Sequence, residues 1–247
     1  MAGISIQPGT QRKDASSADT RGNWRKCWRW MAGRGMKRKK NKNYFTIVEG
    51  KVVIMLFNVT EARIKAFEEM MGKHLPAAFI DWLKENGFFT APASRNHHGN
   101  YEGGLFDHSY AVAEQLKQLT KVNRLKWEHP RSPLVVGMFH DLCKIDAYTI
   151  AVDNPGVEMF GGEVKGRTYV IEYNDDDLLL DGHGDKSVMY LAQHMKLTPE
   201  EVMCIRWHMG AFDEKHNWKY YTAAVKKYPN VLWTHTADMI ASQIMGV

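Results

Sequence analysis

Cysteine is scarce in this 247-residue chain: Cys27, Cys143 and Cys204 are odd in number, far apart, and show no zinc-finger spacing. That excludes a disulfide framework and a thiolate zinc site, and it leads us to expect a reducing, cytoplasmic setting. No apolar run approaches the roughly 18 residues of a membrane span, and no apolar signal segment follows the start. We therefore expect no membrane partner and no export. Acidic residues are nearly missing from the first 42 positions, which hold 12 Lys/Arg against 2 Asp/Glu, whereas the remainder carries 21 against 26. The formal charge of +5 is thus the property of an arm, not of the body. It is no nucleic-acid footprint of a catalytic domain, although the Met36-Lys-Arg-Lys-Lys40 cluster suits weak, non-specific contact with a phosphate backbone.

At 44% hydrophobic residues the chain has enough apolar material for one large domain plus this appendage. Residues 1 to 54 are expected to form a basic arm, without apolar period and without order up to Asn43, followed by a β-like run from Tyr44 to Phe57. Glu49-Gly-Lys51 is also what a purine-rich, ribosome-binding-like stretch encodes, making Met55 an alternative start and the arm an alternative non-coding product. Residues 55 to 92 read as a helical lead-in, its two helices either core or lid. Ile64, Phe67, Met70 and Met71 share a face up to Gly72, and Phe79, Ile80 and Leu83 repeat the period before Gly87. A helix from Leu105 to Leu119 follows a polar loop, and Pro133 opens the next. Val157 to Tyr173 alternates with period two around Lys165-Gly-Arg167, which predicts a small β-hairpin inserted into a helical protein. Thr198-Pro-Glu-Glu201 is a capping box with proline at the first helical position, and Pro229 opens the last helix.

Six metal-ligand side chains lie on these helix-like segments in the order His108, His140-Asp141, His183, His208 and Asp238. Imidazole and carboxylate donors suit Fe, Mn, Co, Ni or Zn, and six exceed what one ion accepts while keeping an open position. Two divalent transition metals fit the number better. Asp141 is the expected bridge, because an unpaired carboxylate at the end of an apolar helix is expensive to bury.

The pattern resembles the HD-domain superfamily of metal-dependent phosphohydrolases, over roughly Ala93 to Ser242. The matching blocks are Asn96-His-His-Gly-Asn-Tyr-Glu-Gly-Gly-Leu-Phe-Asp-His108-Ser, His140-Asp-Leu-Cys-Lys144, Gly182-His183 and Trp207-His208-Met-Gly. They are most similar to uncharacterised bacterial and phage members with the His, His-Asp, His, His, Asp order, and more distantly to the HD domain of a bacterial 3′-to-5′ exoribonuclease. The resemblance implies an all-α HD-domain bundle over residues 93 to 247, with all six residues as ligands. It also implies hydrolysis of a phosphoester by a metal-bound hydroxide, with Lys144 contacting the substrate phosphate. Cys143 stands where the family usually has glycine. The exoribonuclease relatives carry an OB domain ahead of the catalytic domain, and the run of short strands needed for one is missing before Asn96. A nucleotide, dinucleotide or short oligonucleotide is therefore expected in place of long RNA.

Arg95, His97 and His98, just ahead of the first ligand, are candidates to meet the substrate, and His235 is a candidate to orient a ligand from behind. Two other functions share these residues. Di-iron members of the same superfamily are oxygenases acting on small molecules, and a nucleotide-sensing module without catalysis would need the same pocket.

Overall fold

The computed structural model describes residues 37–38, 44–48, 51–55, 59–154, 156–158, 164–165, 168–174 and 182–247. Most of the basic arm lies outside them. The chain divides into two compact units, Met1–Ile54 and Met55–Val247. In the first, β1 (Lys37–Arg38), β2 (Tyr44–Val48) and β3 (Lys51–Met55) form a three-stranded sheet in that order, with Lys37 opposite Phe45.

The second unit is mainly helical: α1 (Val59–Met71), α2 (Ala77–Glu85), α3 (Gly104–Asn123), α4 (Ser132–Phe139), α5 (His183–Ala192), α6 (Pro199–Arg206), α7 (Trp218–Lys227) and α8 (Asn230–Met239). Among the described residues no helix is long and apolar enough to cross a membrane. Of the two roles open to this lead-in, core or lid, its apolar faces take the first. Phe67 of α1, Phe79 and Leu83 of α2, and Phe88 after them are all but fully buried. Phe67 and Phe79 both pack on Phe139 of α4, with ring centroids 6.3 and 5.2 Å apart. The same face that periodicity marks as apolar thus backs the helix that leads into His140.

Two close approaches set α3 relative to its neighbours. Arg63 of α1 grips Asp107, the residue before His108, through two bonds of 2.9 Å. Gly137 of α4 lies so near α3 that a Cβ there would sit 2.5 Å from the Ala113 Cα. Only glycine lets the two backbones come this close, and this crossing brings His108 beside His140.

The inserted hairpin starts earlier than expected. Strands β4 (Tyr148–Asn154) and β7 (Thr168–Tyr173) pair antiparallel with a register shift between Val152 and Asn154, and β5 (Val157–Glu158) pairs with β6 (Val164–Lys165) inside them. Lys165 of the expected turn lies in β6, and Gly166 and Arg167 lie outside the described residues. Tyr148, Ile150 and Val152 of β4 also alternate with more polar or smaller residues, a period-two signal that lies ahead of the expected start.

If α1 belongs to the core, Phe67→Ala removes a fully buried ring and should lower unfolding stability by about 3–5 kcal/mol, as large-to-small aromatic substitutions do. Urea unfolding followed by circular dichroism checks this. A change below about 1 kcal/mol would return α1 to the role of a separable lid.

Candidate metal centre

Two of the ligand candidates stand just past the ends of helices, where the last carbonyls have no intrahelical partner. His140 follows α4 directly, and its Nδ1 lies 2.9 Å from the Gly137 carbonyl oxygen. His208 follows α6 by two residues, and its Nδ1 lies 2.7 Å from the Ile205 carbonyl oxygen. Each ring thus caps the carbonyl three residues behind it. His108, in the second turn of α3, makes the equivalent bond at 2.8 Å to the main-chain oxygen of Val247.

A carbonyl oxygen can only accept, so in all three rings Nδ1 carries the proton. In the neutral form of such a ring Nε2 has a bare lone pair. These three lone pairs face one another in a fully buried space. His108 Nε2 and His140 Nε2 are 3.1 Å apart, a distance at which two acceptors repel unless a proton or a cation lies between them. The Asp141 Oδ1 and His208 Nε2 atoms, 3.3 Å apart, are buried without a hydrogen-bond partner. Buried polar atoms left in this state are rare, and a cation held between them would satisfy both. The donor set, nitrogen and oxygen only, fits a divalent transition metal.

Five of the six predicted ligands converge. His108, His140 and Asp238 form one group, and His140, Asp141 and His208 a second. Asp238, in the last turn of α8, brings Oδ1 to 3.3 Å from His108 Nε2. The Asp141 carboxylate faces both groups, with Oδ2 at 3.6 Å from His108 and 3.5 Å from His140, and Oδ1 toward His208. Since His140 has a single free lone pair it can serve one ion only. His140 is common to both groups, and Asp141 belongs to the group with His208.

His183 belongs to neither group. It opens α5, exposed, with its Nδ1 3.7 Å from Cys143 Sγ. A Cβ on Gly184 would strike the Arg206 carbonyl, so glycine next to His183 is required for α5 to approach α6. Cys143 itself is an unsuitable ligand: burial pushes its thiol up to about 12, helped by the Asp141 charge.

Lys144 is not free to meet a phosphate in this arrangement. Its Nζ lies 2.7 Å from Asp141 Oδ2, and both side chains are buried. Burial works to raise the Asp141 carboxyl, but the Lys144 ammonium outweighs it and holds it well below the usual range.

The loop before α3 supplies further groups. His98 is half-buried with its ring 4.7 Å from that of His108. Burial first, then the neighbouring His108 and Lys144, lower its pKa to about 4, so it is neutral at physiological pH. His97 and Arg95 are exposed, the former held through its main-chain N–H to Ser94 Oγ at 2.9 Å. His235 lies beside the turn that carries His208: its Nδ1 donates to the His208 carbonyl oxygen at 2.8 Å, and its ring fills the space a Cβ on Gly210 would need.

The carbonyl partners of the histidines were missed by sequence reasoning. A signal for two of them exists, namely a histidine one or two residues past a helix end. Comparison with protein-family models, with curated proteins and with solved structures returned no match to this chain.

In the metal-free protein Asp141→Ala strands the Lys144 ammonium and should cost about 3–5 kcal/mol, the penalty for breaking a buried pair from one side. The depressed Asp141 pKa means that the pair stabilises the fold above the usual carboxylate pKa of about 3.9 and that this contribution is lost as pH falls through the lower folded value. Urea unfolding of wild type and Asp141→Asn between neutral and acidic pH checks the sign: the wild-type advantage should shrink toward acid. An advantage that stays constant or grows would contradict the pairing.

Proposed function

We propose that this chain is a metal-dependent phosphohydrolase of the HD type. Its substrate is a phosphoester of a nucleotide, dinucleotide or short oligonucleotide. Divalent transition ions would be held by His108, His140, Asp141, His208 and Asp238, with the exposed His183 at the edge of the second group. One observation carries this reading: three buried imidazoles, each committed through Nδ1–H to a main-chain oxygen, turn unprotonated nitrogens toward two carboxylates. When bound, ions of this kind supply a Lewis acid for a phosphoryl oxygen and lower the pKa of water.

The chain's own groups do the rest. Asp141 offers one oxygen to each group, which is what a bridge between two ions requires. Lys144 keeps that carboxylate ionised and oriented, and its ammonium is the nearest protein charge to neutralise a phosphoryl group once metal relieves its claim on Asp141. Neutral His98 gives a hydrogen bond to substrate without adding charge beside the ions. His235 fixes the turn from which His208 projects. A buried carboxylate alone would be expected to bind a proton; here Lys144 favours the ionised form of Asp141, the form a metal needs.

The direct test is anaerobic hydrolysis of a panel of nucleotides and short oligonucleotides by full-length protein loaded with Mn, Co or Fe(II). Phosphoester cleavage should be supported by at least one of these ions and reduced about a hundredfold or more in Asp141→Asn. Turnover of a small molecule only in the presence of O₂ would favour the di-iron oxygenase, and tight nucleotide binding with zero turnover would favour a sensing module. Either result would overturn the hydrolase reading.

A further inference from the structure

The base of the inserted hairpin meets the loop before α3 beside the metal centre. Tyr148 and Tyr173 are directly opposite in the β4–β7 register, with ring centroids 5.3 Å apart at 43°. The Arg95 guanidinium lies over the Tyr173 ring, 5.6 Å from its centroid. Arg95 comes from the loop whose His98 packs against His108, and Tyr148 is joined to Lys144 by the remainder of a short 3₁₀ turn, Leu142–Ile145. The Tyr148 phenol is near enough to feel the Lys144 and Asp141 charges, and burial first pushes its pKa up to about 12, so it remains a neutral hydrogen-bond donor. Tyr173, by contrast, is 56% exposed.

An arginine and two tyrosines gathered at the mouth of a buried polar site have a recognisable chemical preference. A flat aromatic ligand gains from both the ring faces and the guanidinium plane, whereas a sugar phosphate without a base gains from neither face. Stacking of this kind tolerates any base, since every base has a π-face.

We propose that Arg95, Tyr148 and Tyr173 form the platform for the base of the substrate, a nucleobase-bearing phosphoester whose phosphate lies at the metal centre. The inference rests on the phosphohydrolase reading and names the part of the substrate that selects it. It also gives the insertion a purpose, because the hairpin carries both tyrosines to one position next to Lys144.

The test uses metal-loaded full-length protein, AMP, and ribose phosphate as the base-free comparison. In Tyr173→Leu the ratio of kcat/KM for AMP to that for ribose phosphate should fall roughly tenfold, the order of effect that base–aromatic stacking supplies. Tyr173→Phe should restore the ratio, since it keeps the ring. Tyr169→Leu, also exposed but further out on β7, controls for general damage to the hairpin and should leave the ratio as in wild type. Equilibrium dialysis of AMP, read without turnover, separates the two layers of the argument. If no phosphoester is cleaved but AMP binding weakens in Tyr173→Leu and recovers in Tyr173→Phe, the hydrolase reading fails and the platform stands. If cleavage occurs and both the ratio and AMP binding are unchanged in Tyr173→Leu, the platform is overturned and the hydrolase reading stands.

Discussion

The hydrogen bond from an imidazole Nδ1–H to a main-chain oxygen is the constraint on which the centre depends. It is made three times, by His108, His140 and His208, at 2.7 to 2.9 Å. Each bond selects one tautomer, and the selected tautomer leaves a bare nitrogen that a buried site cannot leave unmatched. For His140 and His208 the same bond also satisfies a carbonyl at a helix end, so helix termination and metal-ligand orientation are one event. Replacing either ring by a residue of equal size would lose both at once.

The rest of the second unit keeps these rings in register. The Gly137–Ala113 approach sets α4 against α3, and the Arg63–Asp107 pair ties α1 to the turn that carries His108. A buried polar net does the same for α6. Glu201 closes the capping box with Thr198 and accepts the Ser132 hydroxyl at 2.8 Å, while Glu200 accepts from the Glu128 main chain and from Asn230. Two carboxylates of one helix thereby reach α4 and the first residue of α8. These groups are buried and fully engaged, the condition under which polar networks specify an arrangement and do not weaken it. Asp141 and Lys144 form the costliest pair of the unit, since two charges are removed from water, and their place beside the imidazoles explains why the cost is tolerated.

Much of the helical frame was legible in the sequence because its signals are local. Pro133, the Thr198-Pro-Glu-Glu201 box and Pro229 mark helix starts that the structure places at Ser132, Pro199 and Asn230. The spacing of Phe67, Met71, Phe79 and Leu83 told which faces are apolar, but not that these helices back the same core as α4, which is a matter of long-range packing. The hairpin begins about nine residues before its expected start, although Tyr148, Ile150 and Val152 carry a period-two signal there. Within the site, residue types revealed the potential ligands, and five of them meet. Exposure of His183 and the engagement of Lys144 by Asp141 were not readable, since both depend on how α5 and the turn after α4 sit relative to each other. Tyr148 and Tyr173 were invisible as a pair for the same reason: only the strand register brings them together.

The account's central claim is the tautomer state of the three rings. Long-range ¹H–¹⁵N correlation spectra of the imidazole side chains, recorded at neutral pH before and after addition of zinc, read it directly. The account predicts that His108, His140 and His208 are Nδ1–H tautomers in the zinc-loaded protein, with Nε2 as the nitrogen whose resonance moves when zinc is added. Nε2–H tautomers at these positions, or zinc that leaves all three Nε2 resonances where they were, would contradict it.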